Sequence, residues 1–288
     1  MNSSYQHPAA APAGKEKTAR IVICADDFGQ SPAINDGIVQ LAQQGRLSAA
    51  SCMTLAPAMT HRLDELKASG IALGLHLNFT QLLGSEGYVL PLSQLIVKSY
   101  LRLLDRAAIA REIRRQLDAF EQHVGRTPDY VDGHQHVHQL PMIREALLAE
   151  LQQRYAGRQP WLRSTRSSPA ASMPAAYARK AGIIATLGSS ALQRLARRRG
   201  MAMNAHLLGV YDFAASADYP ALLAAWLASA GNGDLLMCHP ASAATPGDEL
   251  GEQRVREFSA LSAPDLLPAL LARHRLEVGH LPLAEQAA

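Results

Sequence analysis

Four short polar segments carry the side chains able to do chemistry. Two carboxylates stand together at Asp26-Asp27, directly after the apolar run 21–25. Acids that follow a buried strand are costly unless they are paired or ligate a cation. Adjacent side chains of an extended segment point in different directions. One carboxylate can therefore hold a metal while the other reaches a water beside it. Taken alone, the pair reads equally well as one helix-capping Asp and one exposed Asp. The segment Asp132-Gly133-His134-Gln135-His136-Val137-His138 sets three histidines at alternate positions. If it is extended, all three face one side. If it turns helical after His134, then His134 and His138 share a face. Either geometry offers a metal ligand, because neutral imidazole is a common one, and not all three need bind. Asp132 is placed to orient a ligand imidazole from behind, and His136 and His138 fall into the same supporting role. His76, in Gly74-Leu75-His76-Leu77-Asn78, and His239, in Cys238-His239-Pro240, are lone histidines whose plain reading is structural. They gain meaning only if the fold brings them to the other two segments. There His76 would be a ligand and His239 a general acid.

The elements that must position these groups are strand-like apolar runs alternating with helical patterns. Strands are predicted at 21–25, 49–55 and 71–77, with a fourth ending at Tyr130-Val131-Asp132 and later ones at 161–165, 205–210, 234–239 and 276–278. Ser31-Pro32 reads as a cap followed by Pro at the first helical position, with the helix ending near Gln44 before Gly45. Helices are also predicted at 59–69, 109–124 and 140–155. The segment 79–98 has little periodicity and reads as an ordered loop over the site. Eight strands separated by helices suit a parallel α/β barrel, a seven-stranded or distorted version included. In a barrel the C-terminal strand ends open on one face, so the four segments would converge on one pocket.

Composition sets the outer bounds. The 288 residues are 48% hydrophobic with a formal charge of +3, enough for one sizeable core. Residues 1–17 read as a disordered tail and 18–285 as a single domain. Cys24, Cys52 and Cys238 have no CxxC spacing, so buried free thiols in a reducing compartment are expected. No apolar stretch approaches the ~18 residues of a spanning helix, and a soluble cytoplasmic protein without a nucleic-acid partner is expected. Arg197-Arg198-Arg199 reads as a solvated helix end, with nucleic-acid or anionic-membrane contact as the alternative.

The pieces Ala25-Asp26-Asp27-Phe28-Gly29, Gly74-Leu75-His76-Leu77-Asn78, residues 128–138 and Met237-Cys238-His239-Pro240 together resemble the YdjC-like carbohydrate deacetylases. That group contains chitooligosaccharide deacetylase and the hopanoid-biosynthesis-associated deacetylase-like proteins. The resemblance implies a (β/α)-barrel-like fold of the glycoside hydrolase/deacetylase type. It implies one divalent metal, usually magnesium, on Asp27, His76 and His134, with Asp26 as general base and His239 as candidate acid. It also implies an N-acetylated amino sugar as substrate. Ligand type alone leaves zinc open. Tyr88 is expected to stack on the sugar, with Gln81 and Ser85 as hydroxyl partners, and Arg163 to line the mouth. The alternatives are a barrel phosphoesterase, which would favour two metals, and a non-catalytic metal- or sugar-binding protein. The sequence gives no signal for oligomeric state.

Overall fold

The computed structural model describes residues 18–83, 86–168 and 173–281. Its elements alternate as the patterning predicts: β1 (Ala19–Phe28), α1 (Pro32–Gln43), β2 (Ala49–Cys52), α2 (Leu63–Ala68), β3 (Ala72–Leu77), α3 (Leu92–Tyr100), α4 (Arg106–Val124) and β4 (Tyr130–Gly133). After a 3-10 segment, His134–Gln139, come α5 (Ile143–Arg154), β5 (Trp161–Leu162), α6 (Ala175–Thr186), α7 (Ser189–Arg198), β6 (Leu207–Leu208) and α8 (Tyr219–Ala228). The chain closes with β7 (Leu235–Cys238), α9 (Gly251–Ser262), α10 (Leu266–His274) and β8 (Leu276–Val278).

All strand pairs are parallel, in the order β5-β4-β3-β2-β1-β7-β6. Single bridges, Leu162↔Met203 and Ser167↔Leu207, join the two ends of that path. The result is a seven-stave α/β barrel in one domain. The eighth strand pairs only with the first residues of β1.

The two-residue period of the strands sorts side chains into two layers. Ile21, Ile23 and Ala25 of β1 pack outward with Ile34, Ile38 and Leu66 of the helices. Val22 and Cys24 point inward, into a cluster with Ala49, Tyr130, Trp161, Leu235 and Met237. Tyr130 and Trp161 stack with ring centroids 4.2 Å apart. Gly74 leaves room for this: a Cβ there would come within 2.3 Å of the Tyr130 ring. The next inward residues along these strands are Asp26, Ser51, His76, Asp132, Arg163 and His239. The chemistry sits on the top layer of the barrel interior because the same alternation continues past the apolar floor.

Two expectations are corrected. Strand β1 does not stop at Ala25 but runs through Phe28, since its pairing with β2 continues past a register shift between Ala25 and Phe28. The segment 79–98 is not a loop throughout. Its second part is α3, whose Leu95 and Ser99 are buried. The proposed turn residues Gly84 and Ser85, and the tail 1–17, lie outside the described residues. The helix start at Ser31 holds: its side chain accepts from the Ile34 N–H, and Pro32 follows.

Candidate active site

Asp27 is the geometric centre. It has φ 71, in the left-handed region. This is a strained setting for a non-glycine residue, fixed by the bulge in β1. The turn that follows is held by buried Asn35, which accepts the Gly29 N–H at 2.6 Å and donates to the carbonyls of Ala58 and His61. Asp27 Oδ1 receives two imidazoles, His134 Nδ1 at 3.1 Å and His76 Nε2 at 3.4 Å. The ligand atoms of all three residues lie within 4.8 Å of one another. A divalent ion ~2.1 Å from each ligand needs neighbouring ligands ~3.0 Å apart in octahedral and ~3.4 Å in tetrahedral geometry. The donor set fits such an ion in spacing and in chemistry. The other oxygen, Oδ2, is taken by Arg254 Nη2 at 2.8 Å, which leaves Oδ1 as the free donor. Burial acts against the Asp27 charge, but Arg254 and His134 override it and hold the carboxyl well below its usual range.

His76 is fixed from behind. Its Nδ1 meets Asp132 Oδ1 at 2.7 Å, so Nε2 is the nitrogen presented to Asp27. Burial disfavours the imidazolium, yet Asp132 and Asp26 outweigh it and raise the pKa to about 10. Asp132 Oδ2 accepts from Ser51 Oγ at 2.7 Å and from Arg163 at 2.5 Å.

Asp26 has a different partner. Arg163 binds both its oxygens at 2.6 Å in a bidentate fork. Burial again opposes the charge, and Arg163 overrides it, keeping Asp26 ionised well below the carboxylate range. Cys24, Asp26 and Asp132 form a second cluster of possible ligands, but the Arg163 guanidinium stands among all three. Burial pushes the Cys24 thiol up to about 12. A protonated thiol and a resident guanidinium leave that cluster neutralised from within.

His239 Nε2 faces Asp26 Oδ2 at 4.0 Å. Burial lowers its pKa to about 4, against the pull of Asp27 and Asp26. Its backbone N–H donates to Glu257 Oε2 at 2.5 Å, and Glu257 Oε1 accepts from Tyr211 OH at 2.6 Å. Burial raises Glu257 to about 7, although those two hydrogen bonds oppose the rise. Phe213 sets its ring edge-on to His239 at 5.1 Å. A cleft of about 620 Å³ opens above these groups, with Asp26, Asp27, His76, His134 and His239 in its wall.

A profile described as YdjC-like protein matches residues 20–272. The chain belongs to the YdjC-like family. Among curated relatives, a human carbohydrate deacetylase is 30% identical over 146 residues, covering 46% of this chain and 45% of that protein. A chitooligosaccharide deacetylase from an Enterobacter species is 30% identical over 132 residues, covering 43% of this chain and 52% of that one. The match spans about half the length of these curated relatives. A solved structure from Enterococcus faecalis, provisionally described as a cellobiose-phosphate cleavage protein, is 22% identical. It covers 91% of this chain and 97% of its own with a TM-score of 0.65, so the two share a fold.

In this YdjC-like chain the barrel brings Asp26, Asp27, His76, His134 and His239 together and puts Asp132 behind His76. The HxHxH segment follows neither expected geometry. Gln135 and His136 both have left-handed φ, 52 and 60, so the three rings diverge. His134 meets Asp27, and His136 lines the cleft with its Nδ1 unpartnered among the described residues. His138 Nε2 is 2.9 Å from the Arg163 carbonyl. Arg163 is not at the mouth. It is fully buried because it continues the inward face of Trp161, and its charge is spent on Asp26 and Asp132. Tyr88 is not in the cleft wall. Its ring packs edge-on to Phe79 at 6.3 Å, against the core, while Gln81 does line the cleft. Sequence reasoning missed Arg254, Glu257 and Tyr211. Arg254 and Glu257 are spaced three apart on a helix, the pattern of an ordinary surface ion pair, and nothing in the sequence marks them as buried.

Proposed function

We propose that this protein is a metal-dependent carbohydrate N-deacetylase that removes the acetyl group from an N-acetylated amino sugar, its oligomer or a conjugate. The observation that carries the reading is the division of labour between two adjacent acids. Asp27 faces two imidazoles, while Asp26, held ionised by its own arginine, faces the cleft beside His239. A binding protein has no need of a second carboxylate maintained in that state. The names of the curated relatives support the same reaction class.

Asp27, His76 and His134 would hold the ion, magnesium in this reading and zinc as the other candidate. Such an ion, when bound, acidifies a water and polarises the amide carbonyl. Asp26 is a weak base, because Arg163 stabilises its charge, but it is always in the accepting form and fixed in direction. It takes one proton from the attacking water. His239 is neutral at rest and 4.0 Å away; it relays that proton to the leaving nitrogen, so the amine departs uncharged. Water and amide are consumed, and acetate and amine are formed. The two-metal phosphoesterase reading is disfavoured, since Arg163 already neutralises the second acidic cluster. We assign residues 18–285 to one catalytic domain following a tail at 1–17. We assign the protein to the cytoplasm, as its three thiols are free and buried.

The test is acetate release from N-acetylglucosamine oligomers with and without EDTA. Asp26→Asn should keep its metal and lose on the order of 10²–10⁴ in rate, whereas Asp27→Asn should lose metal and activity together. Metal-replete protein that releases no acetate from any N-acetylated sugar would sink the proposal.

A further inference from the structure

The exposed large hydrophobic side chains among the described residues are Leu82, Val97, Tyr100, Leu101, Leu103 and Ile183. They are not scattered. Each lies on a segment that also contributes to the cleft or directly follows one that does: Gln81 beside Leu82, Leu92 and Ile96 of α3, and Ile184 and Leu187 beside Ile183. Helix α6 has no buried residue among those described. A helix with apolar side chains and nothing buried lacks a partner for them.

The charge around this apolar rim is of one sign. Between Glu150 and Asp212 the sequence has no acidic residue, while Arg and Lys recur throughout. Arg179 on α6 and Arg194, Arg197 and Arg198 on α7 are exposed, as is Lys98 on α3. None of them has an ion-pair partner among the described residues. A second copy of the chain would set like charges against one another. A nucleic acid would match the cations but not the aliphatic Val97, Leu101, Leu103 and Ile183. A bilayer with anionic headgroups offers both kinds of complement, with hydrocarbon for the aliphatic side chains and phosphate for the cations.

We propose that α3 with the turn after it, together with the α6–α7 pair, docks this protein peripherally on an anionic lipid bilayer, with the cleft opening toward the membrane. This inference does not rest on the deacetylase reading. No helix is long and apolar enough to cross a membrane among the described residues, so the mode is docking on one leaflet.

The full chain would be sedimented with vesicles of phosphatidylcholine alone and of equal parts phosphatidylcholine and phosphatidylglycerol. It should partition onto the anionic vesicles, less so as salt rises, and not onto the neutral ones. Replacing Arg194, Arg197 and Arg198 by Ser should weaken partition about 100-fold, at about fivefold for each cation near an anionic surface. Leu101→Ser with Ile183→Ser should weaken it by about tenfold or more. Both sets should leave the melting temperature unchanged, because these side chains are exposed. The proposal is overturned if the wild type ignores anionic vesicles, or if both variant sets partition as it does. It is also overturned if light scattering shows a dimer that the apolar variant dissolves while no vesicle is bound, or if RNA is bound and vesicles are not.

Discussion

Arg163→Met tests the electrostatic core of the site. Methionine fills a similar volume but removes the charge that Asp26 and Asp132 share at 2.5–2.6 Å. Asp132 keeps Ser51 and His76, each at 2.7 Å. Asp26 keeps only the Cys24 thiol at 3.6 Å and His239 at 4.0 Å. Most of the deficit should therefore arise at Asp26. Removing one partner of a buried pair costs roughly 3–5 kcal/mol, and in a chain of this size that lowers the melting temperature by roughly 6–20 °C. The pH dependence is the sharper signature. In the wild type the Asp26 pKa is depressed, so its ionisation stabilises the fold above the ordinary carboxylate pKa and is lost as pH falls through the folded value. In the variant burial acts alone and raises that pKa. The penalty is then full at neutral pH and fades as pH falls toward ~4, where the carboxyl is neutral in both folded and unfolded chains. Urea unfolding in EDTA from pH 7 to pH 4 measures this directly, and adding Asp26→Asn should restore most of the loss. A deficit below about 1 kcal/mol, or one that does not change with pH, would show that Arg163 does not neutralise these acids.

Three further outcomes follow from single contacts. Asp132→Asn should weaken metal affinity by about 10–100-fold, because the His76 ring loses the acceptor that fixes its tautomer; titration calorimetry that finds unchanged affinity would remove Asp132 from that role. Glu257→Gln cannot accept from both Tyr211 OH and the His239 N–H, and the unsatisfied donor should cost about 1–3 kcal/mol. A carboxyl raised to about 7 makes the wild type lose stability as pH rises from the unfolded value toward 7, so the Gln variant should show a flatter profile there; parallel profiles would mean Glu257 is not so perturbed. Gly209 has φ 91, and a Cβ there would lie 2.0 Å from the Met237 carbonyl oxygen. Gly209→Ala should therefore destabilise by roughly 2 kcal/mol or more, whereas Gly45→Ala, at φ 69 with nothing within 4 Å, should cost only ~1 kcal/mol. Equal effects in chemical denaturation would contradict the close approach of β6 and β7.

What could be read from the sequence follows one rule. A strand with one face inward repeats every second residue, so Val22-Cys24-Asp26, Gly74-His76, Tyr130-Asp132 and Met237-His239 are successive rungs of the same interior ladder. Counting those rungs from the apolar runs was enough to expect Asp26, His76, Asp132 and His239 in one pocket. The same rule, applied to Trp161, would have put Arg163 inside as well; reading it as a mouth residue ignored the alternation. Tyr88 was misplaced for a different reason. It lies in a segment without periodicity, where neither face nor depth is encoded locally, and its ring is governed by Phe79 and the core. The HxHxH segment misled because two consecutive left-handed residues at non-glycine positions have no signature in composition. Arg254 and Glu257 stayed invisible because a buried pair and a surface pair on a helix share one spacing, and only the packing of α9 over the strand ends tells them apart.

The paired acids gain their separate roles from arginines supplied by distant parts of the chain. Asp26 and Asp27 are neighbours of identical chemistry, and both are buried. Left alone, each would raise the pKa of the other, and one would be neutral at physiological pH. The strained turn at Asp27 points its carboxylate toward β3 and β4, while Asp26 keeps the inward direction of β1. Arg163, at the end of β5, then closes both oxygens of Asp26. Arg254, from α9, takes one oxygen of Asp27 and is itself anchored by Asp248 at 2.7 Å. The asymmetry is the functional point. A carboxylate gripped at both oxygens is held in orientation but is poorly placed to ligate an ion. A carboxylate gripped at one oxygen presents the other to His76 and His134. The number of guanidinium contacts each acid receives, two against one, thus separates the candidate base from the candidate ligand, and this separation rests on side chains more than 130 residues away in sequence.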